Sequence, residues 1–251
     1  MSDRHRIYGD AVSIKTENTR NFYNERAKAM ESMANPYVAV LLGDQNPRHA
    51  EEWNRFEKDF VLPQLRISQT NSVLDIGCGI GRWAESIIPH AGYYCGTDFS
   101  SEMIEAAHRR NSYSDRDYDF YNLSFQETVS KSKEFYKKQF DRLIVGGVCM
   151  YINDEELPGC YEGVLKLLDE RCIIYFTETV AVEKRLTLDE CPSEALKTNY
   201  DVIYRTPDEY KGYYSVFTDA GFVVKEQKYL PHLNNEKPFY ETDRWYTILE
   251  R

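Results

Sequence analysis

From residue 72 onward, short apolar runs alternate with helical stretches, and few folds accommodate that rhythm. The runs are Ser72 to Ile76, Tyr93 to Asp98, Tyr118 to Asn122, Phe140 to Val145, Cys172 to Thr177, Phe222 to Gln227 and Trp245 to Leu249. Helical patterns cover Gly81 to Ile88, Ser101 to Arg110, Glu155 to Leu168 and Pro207 to Ala220, the last closed by Gly221. Such alternation predicts an α/β fold of seven strands, mostly parallel, with helices on both faces. Only a loop, Pro231 to Arg244, joins the last two runs, so that pair is antiparallel and the sheet is mixed at one edge.

Upstream, residues 15–65 carry helical signals, and residues 1–70 read as a helical cap. Lys15 to Met33 is rich in helix formers and ends near Asn35-Pro36. His49 to Leu62 places Trp53, Phe56, Phe60 and Val61 at helical spacing before Pro63. Residues 178 to 206 show no strong strand or helix core and are expected to be an insertion covering a substrate. With no repeat and no glycine-serine linker, the 251 residues read as one domain.

Composition narrows the function. The net charge of -10 opposes binding to a phosphate backbone, and the basic clusters at His108-Arg109-Arg110 and Lys131 to Lys138 are short, so nucleic acid is disfavoured. The longest nearly apolar run, Leu143 to Ile152, is about half a membrane span, and MSDRHRIYGD has no apolar signal region. Neither membrane insertion nor secretion is therefore expected. Six cysteines stand at least eleven residues apart, a spacing that suits a reduced, cytoplasmic chain and no metal site. Twenty tyrosines suit pocket walls.

The sharpest segment is Val73-Leu74-Asp75-Ile76-Gly77-Cys78-Gly79-Ile80-Gly81-Arg82-Trp83, a buried strand, a glycine turn and a helix start. A dinucleotide fingerprint would need glycine at position 82, where Arg82 stands. The segment instead resembles the first motif of class I S-adenosylmethionine-dependent methyltransferases. The resemblance implies a Rossmann-like fold with S-adenosyl-L-methionine as cofactor, and puts Asp75, Gly77, Cys78 and Gly79 against it. Asp98 ends the next strand, 23 residues after Asp75, where an acid can accept bonds from ribose hydroxyls. Phe99, Ser100 and Met103 follow, with Ser100 or Ser101 expected to cap a helix and Met103 to face the adenine.

In the same family the loop after the third strand meets the adenine, here at Ser124, Phe125 and Gln126, although an Asn-Leu-Ser run replaces the usual acid. Gly146 and Gly147 match the fourth motif, beside the methionine portion. Asn21-Phe22-Tyr23-Asn24-Glu25-Arg26-Ala27 resembles the entry helix of many small-molecule methyltransferases. By that likeness Tyr23 closes over the cofactor and Arg26 meets its carboxylate, with Arg82 competing for the same group.

Methyl transfer to a hydroxyl or amine needs alignment and a base. Glu178, at the tip of the fifth strand, is the first candidate, and His232, in the 230–244 loop, the second. Tyr151 falls on the acceptor side. Tyr200, Tyr204 and Arg205 form an aromatic-basic cluster able to bind an anionic group such as a sugar-nucleotide phosphate, or else pack beside Thr206 as a helix cap. The expected reaction is methylation of oxygen or nitrogen on a small molecule, a sugar or secondary metabolite by distant likeness. The alternatives are a non-catalytic cofactor-binding regulatory partner and a nicotinamide-dependent oxidoreductase. No motif specifies an oligomeric state.

Overall fold

The computed structural model describes residues 5–41, 47–131, 136, 138–193, 198–233 and 240–251. Of the basic cluster from Lys131 to Lys138, residues 132–135 and 137 lie outside the described residues. In chain order the elements are β1 (Arg6–Tyr8), α1 (Thr16–Ala29), α2 (Val38–Leu41), α3 (Pro47–Leu65), β2 (Ser72–Ile76), α4 (Ala84–Ile87), β3 (Tyr93–Asp98) and α5 (Ser101–Arg110). There follow β4 (Tyr118–Asn122), α6 (Phe125–Ser130), β5 (Phe140–Gly146), α7 (Leu157–Leu165), β6 (Leu168–Ala181), β7 (Leu186–Ser193), β8 (Thr198–Tyr204), α8 (Pro207–Asp219), β9 (Val223–Tyr229) and β10 (Thr242–Glu250).

Seven strands form one sheet in the order β4-β3-β2-β5-β6-β10-β9. The pairings from β4 through β6 are parallel, and β10 runs antiparallel to both neighbours, as the loop-only connection requires. Alternate side chains enter two cores. Val73, Tyr94, Ile144, Tyr175 and Tyr246 pack with Trp53, Val61, Leu65 and Trp83 on one face. Leu74, Tyr93, Leu143, Ile174 and Phe176 pack with Tyr161, Tyr214 and Phe217 on the other. Because β3 and β5 flank β2 on opposite sides, the strand order reverses there and opens a crevice at the carboxyl ends.

Three expectations need correction. Residues 178 to 206 are not without strands: β6 runs on to Ala181, and β7 and β8 form a separate three-stranded antiparallel sheet with β1, in the order β1-β7-β8. The runs Leu186-Thr187-Leu188 and Val202-Ile203-Tyr204 are too short to stand out, and pairing with the distant Arg6–Tyr8 segment completes them. The helix expected from Gly81 shrinks to Ala84–Ile87, since Gly81 has φ +76° and begins with a turn. Finally, α3 does not stop before Pro63. It continues to the fully buried Leu65, whose packing carries the helix past the proline.

Candidate active site

A cleft at the carboxyl ends of β2, β3, β5 and β6 encloses about 1320 Å³ of open space, mouth included. Its floor is the turn after β2. Gly77 and Gly79 have φ of +73° and +54°, a region that side chains rarely adopt. A Cβ on Gly77 would stand 2.1 Å from Val148 Cγ2, and one on Gly79 would stand 2.8 Å from Val40 Cγ1. The chain there is thus as thin as a backbone can be.

Asp98 ties this turn to the tip of β3. Its Oδ2 accepts the Gly79 amide at 3.0 Å and its Oδ1 accepts the Ser100 amide at 2.9 Å. Burial pushes this carboxyl up to about 6, against the pull of those two bonds. Ser100 caps α5 through the Met103 amide at 3.1 Å, which points Met103 into the cleft. Asp75, wholly buried, accepts a bond from Tyr94 Oη at 2.6 Å, and burial raises it to about 7. Ser124 caps α6 with a full capping box to Glu127, which leaves Phe125 and Gln126 on the wall.

Of the expected residues, Tyr23, Asp75, Gly77, Cys78, Gly79, Arg82, Asp98, Phe99, Met103, Ser124, Phe125, Gln126, Gly146, Gly147, Tyr151 and Glu178 all line this one cleft. Arg82 is already engaged: its Nη2 lies 2.9 Å from Glu57 in a buried ion pair. Arg26 does not line the cleft. Its guanidinium donates to the carbonyls of Ala39 (2.9 Å) and Val38, so it clasps α1 to α2.

Glu178 lines the cleft but points its oxygens at backbone. Oε1 accepts the amides of Val148 (3.1 Å) and Cys149 (2.8 Å), and Oε2 accepts that of Met150 (3.3 Å). Burial pushes its carboxyl up to about 7. Arg205, expected to meet an anionic ligand, is fully buried and donates to the carbonyls of Cys149 (2.7 Å) and Ile152 (2.6 Å) and to Asp154 Oδ1 (2.8 Å). Tyr200 and Tyr204 stand behind the wall. Tyr200 Oη meets Tyr151 Oη at 2.8 Å, and Tyr151 Oη in turn meets Tyr23 Oη at 2.7 Å. Thr206 is the cap of α8. His232 is not among the lining residues. Its Nε2 pairs with the Asp243 carboxylate at 2.9 Å.

Several wall residues were given no role in the sequence reading, Glu57, Thr177, Thr179 and Arg244 among them. Glu57 had a legible signal, an acid four residues after Trp53 on the buried stripe of α3. Among the described residues, no group of three or more His, Cys, Asp or Glu side chains could hold a metal, and no helix is long and apolar enough to cross a membrane.

Residues 74–174 match the model of a family described as a methyltransferase domain. That stretch is consistent with a class I S-adenosylmethionine-dependent methyltransferase domain. Phosphoethanolamine N-methyltransferase 1 of Caenorhabditis elegans is 24% identical to this chain over 130 residues, 52% of this chain and 26% of that one. The chain thus spans about a quarter of the length of the first curated relatives it matches. Among solved structures, Haemonchus contortus phosphoethanolamine N-methyltransferase 1 aligns with TM-score 0.67 at 17% identity, covering 94% of this chain and 50% of that one. The mycolic acid cyclopropane synthase CmaA1 aligns with TM-score 0.65 at 12% identity, over 96% of this chain and all of that one. These likenesses bear on the fold alone. The family's cofactor, S-adenosylmethionine, fits the residues present: a bare glycine floor, a buried carboxylate at the tip of β3, and rings at Tyr23, Phe99 and Tyr151 suited to a sulfonium cation.

Proposed function

We propose that this chain transfers the methyl group of S-adenosylmethionine to an oxygen or nitrogen of a small-molecule acceptor. The observation that carries the reading is the Asp98–Gly79 bond, which joins a buried acid to the glycine turn within one cleft that extends on to Thr179 and Arg244. The cofactor supplies an electrophilic methyl on a sulfonium sulfur. This chain's own residues bind, orient and exclude water.

In this reading Asp98 accepts the ribose hydroxyls, since each of its oxygens has taken only one amide bond. Gly77, Gly79 and Gly146 let backbone approach the amino-acid end. Tyr23, Phe99 and Tyr151 wall the sulfonium. Glu178 is a positioning residue that holds the 148–150 backbone, and His232 is assigned no part. The β1-β7-β8 sheet covers the acceptor side, which it reaches through Tyr200 behind Tyr151. Small amines and alcohols are the acceptor class, and phosphoethanolamine, named for the curated relatives, is the first to try.

The test is calorimetry with S-adenosylmethionine and S-adenosylhomocysteine, followed by detection of S-adenosylhomocysteine release across a panel of small amines and alcohols. Binding of both, with release driven by one acceptor, supports the reading. Tight NADH binding without either sulfur ligand overturns it.

A further inference from the structure

We infer that Arg244 anchors an anionic group of the acceptor, a phosphate or carboxylate, at the end of the cleft remote from Asp98. This rests on the methyltransferase reading above and concerns the acceptor half of the same site. Arg244 sits on β10 opposite Thr179 of β6, and both line the cleft. Between β2 and β10 stand β5 and β6, so at the usual spacing Arg244 is rooted about 14 Å from the glycine turn.

Its surroundings leave its charge unanswered. The guanidinium lies over the Trp53 ring at 4.2 Å, and its Nη2 has one long contact, 3.5 Å to the Leu41 carbonyl. Among the described residues, no carboxylate forms an ion pair with it. Glu57, the acid facing it from α3, is held by Arg82 at 2.9 Å and accepts a bond from Tyr175 Oη at 3.1 Å. Asp243, its chain neighbour, is paired with His232. Desolvation, with Arg82 nearby, pulls the Arg244 pKa down, against the pull of Glu57 and Asp243. The half-buried guanidinium has lost part of its water without gaining a carboxylate pair, and an anion would offset that cost.

The cleft is therefore bipolar. Asp75 and Asp98 stand at the tips of β2 and β3, where a cationic cofactor is read to lie. Arg244 presents a planar, aromatic-backed donor fork at the other end, the geometry that suits oxyanions. An acceptor with its nucleophile at one end and an oxyanion at the other spans the two poles.

The experiment loads the protein with S-adenosylhomocysteine and titrates it, in separate arms, with inorganic phosphate and with acetate. Wild type, Arg244→Gln and Arg244→Lys are compared. Wild type is expected to bind at least one anion, and the arm that responds distinguishes phosphate from carboxylate. In Arg244→Gln that binding should fall more than tenfold, and Arg244→Lys should keep part of it. The S-adenosylhomocysteine Kd should move less than twofold in both variants, which also shows that they are folded. A tenfold loss of S-adenosylhomocysteine affinity in Arg244→Gln would overturn the proposal, because the guanidinium would then serve the cofactor. So would anion binding that ignores the substitution, or wild type that binds neither anion. Failure of wild type to bind S-adenosylhomocysteine would instead sink the methyltransferase reading.

Discussion

Glu178 and Arg205 grip the same short loop from opposite sides. The carboxylate takes the amides of Val148, Cys149 and Met150, while the guanidinium takes the carbonyls of Cys149 and Ile152. The loop so held presents Met150 and Tyr151 to the cleft. Breaking either half leaves buried backbone groups without partners, at about 3 kcal/mol or more for Arg205→Met. Glu178→Gln should also destabilise, because an amide can offer one acceptor oxygen where the carboxylate offers two. The double variant should lose less than the sum, by roughly 1 kcal/mol, since both act on one loop. Urea denaturation of the four proteins checks this, and strict additivity would mean that the two grips are independent.

Arg26 makes a second expectation concrete. Its bonds to the Val38 and Ala39 carbonyls, together with the burial of Phe22 and Ala27, make α1 part of the scaffold before any cofactor arrives. Amide exchange over Tyr23 to Arg26 should thus be slow in the apoprotein and change little on cofactor binding. Arg26→Ala should cost about 3 kcal/mol of stability. Fast exchange in the apoprotein, slowed only by S-adenosylhomocysteine, would instead make α1 a segment that the cofactor orders.

The pH dependence of cofactor binding follows from Asp98. Burial raises its carboxyl to about 6, so the apoprotein holds a proton there at pH 5 and has shed it by pH 7. In the proposed function Asp98 accepts two ribose hydroxyls, which favours the ionised form, so affinity should rise with pH through 6 and level off above 7. Asp98→Asn should flatten that rise and weaken binding at pH 7.5 by about 1.5–3 kcal/mol. Calorimetry with S-adenosylhomocysteine at pH 5, 6, 7 and 8 measures both effects, and a parallel slope in the variant would assign the proton elsewhere.

The glycine-turn half of the cleft was legible because local chemistry writes it. Strand, glycines and acid lie within a few positions of one another, and their spacing survives translation into three dimensions. Asp75, Gly77 and Gly79 needed only their own turn, and Asp98 only the next strand. The acceptor half is assembled from remote pieces. Arg244 reaches the cleft because β10 runs antiparallel, and Glu57 because one face of α3 packs over Tyr175. Arg205 and Arg26 misled for a related reason. An arginine in an aromatic or amphipathic setting reads as a ligand contact, yet both guanidiniums are consumed by backbone carbonyls that no sequence pattern marks. The strands β7 and β8 were missed because their pairing partner lies at the far end of the chain.

That last pairing bears on the order in which the molecule is built. Arg6 lies opposite Leu188, so the two are 182 positions apart, whereas Val73 lies opposite Arg142, only 69 apart. Loop closure penalises the longer connection, and contacts of high sequence separation form slowly. As a nascent chain emerges, β2 through β5 can pair while β1 still waits, a bare edge, for β7 to be synthesised. The parallel strands β2 to β6 are accordingly available before β7 exists, whereas β1 can only dock late, and conditions that slow its docking should leave a folded parallel half with the three-stranded sheet incomplete.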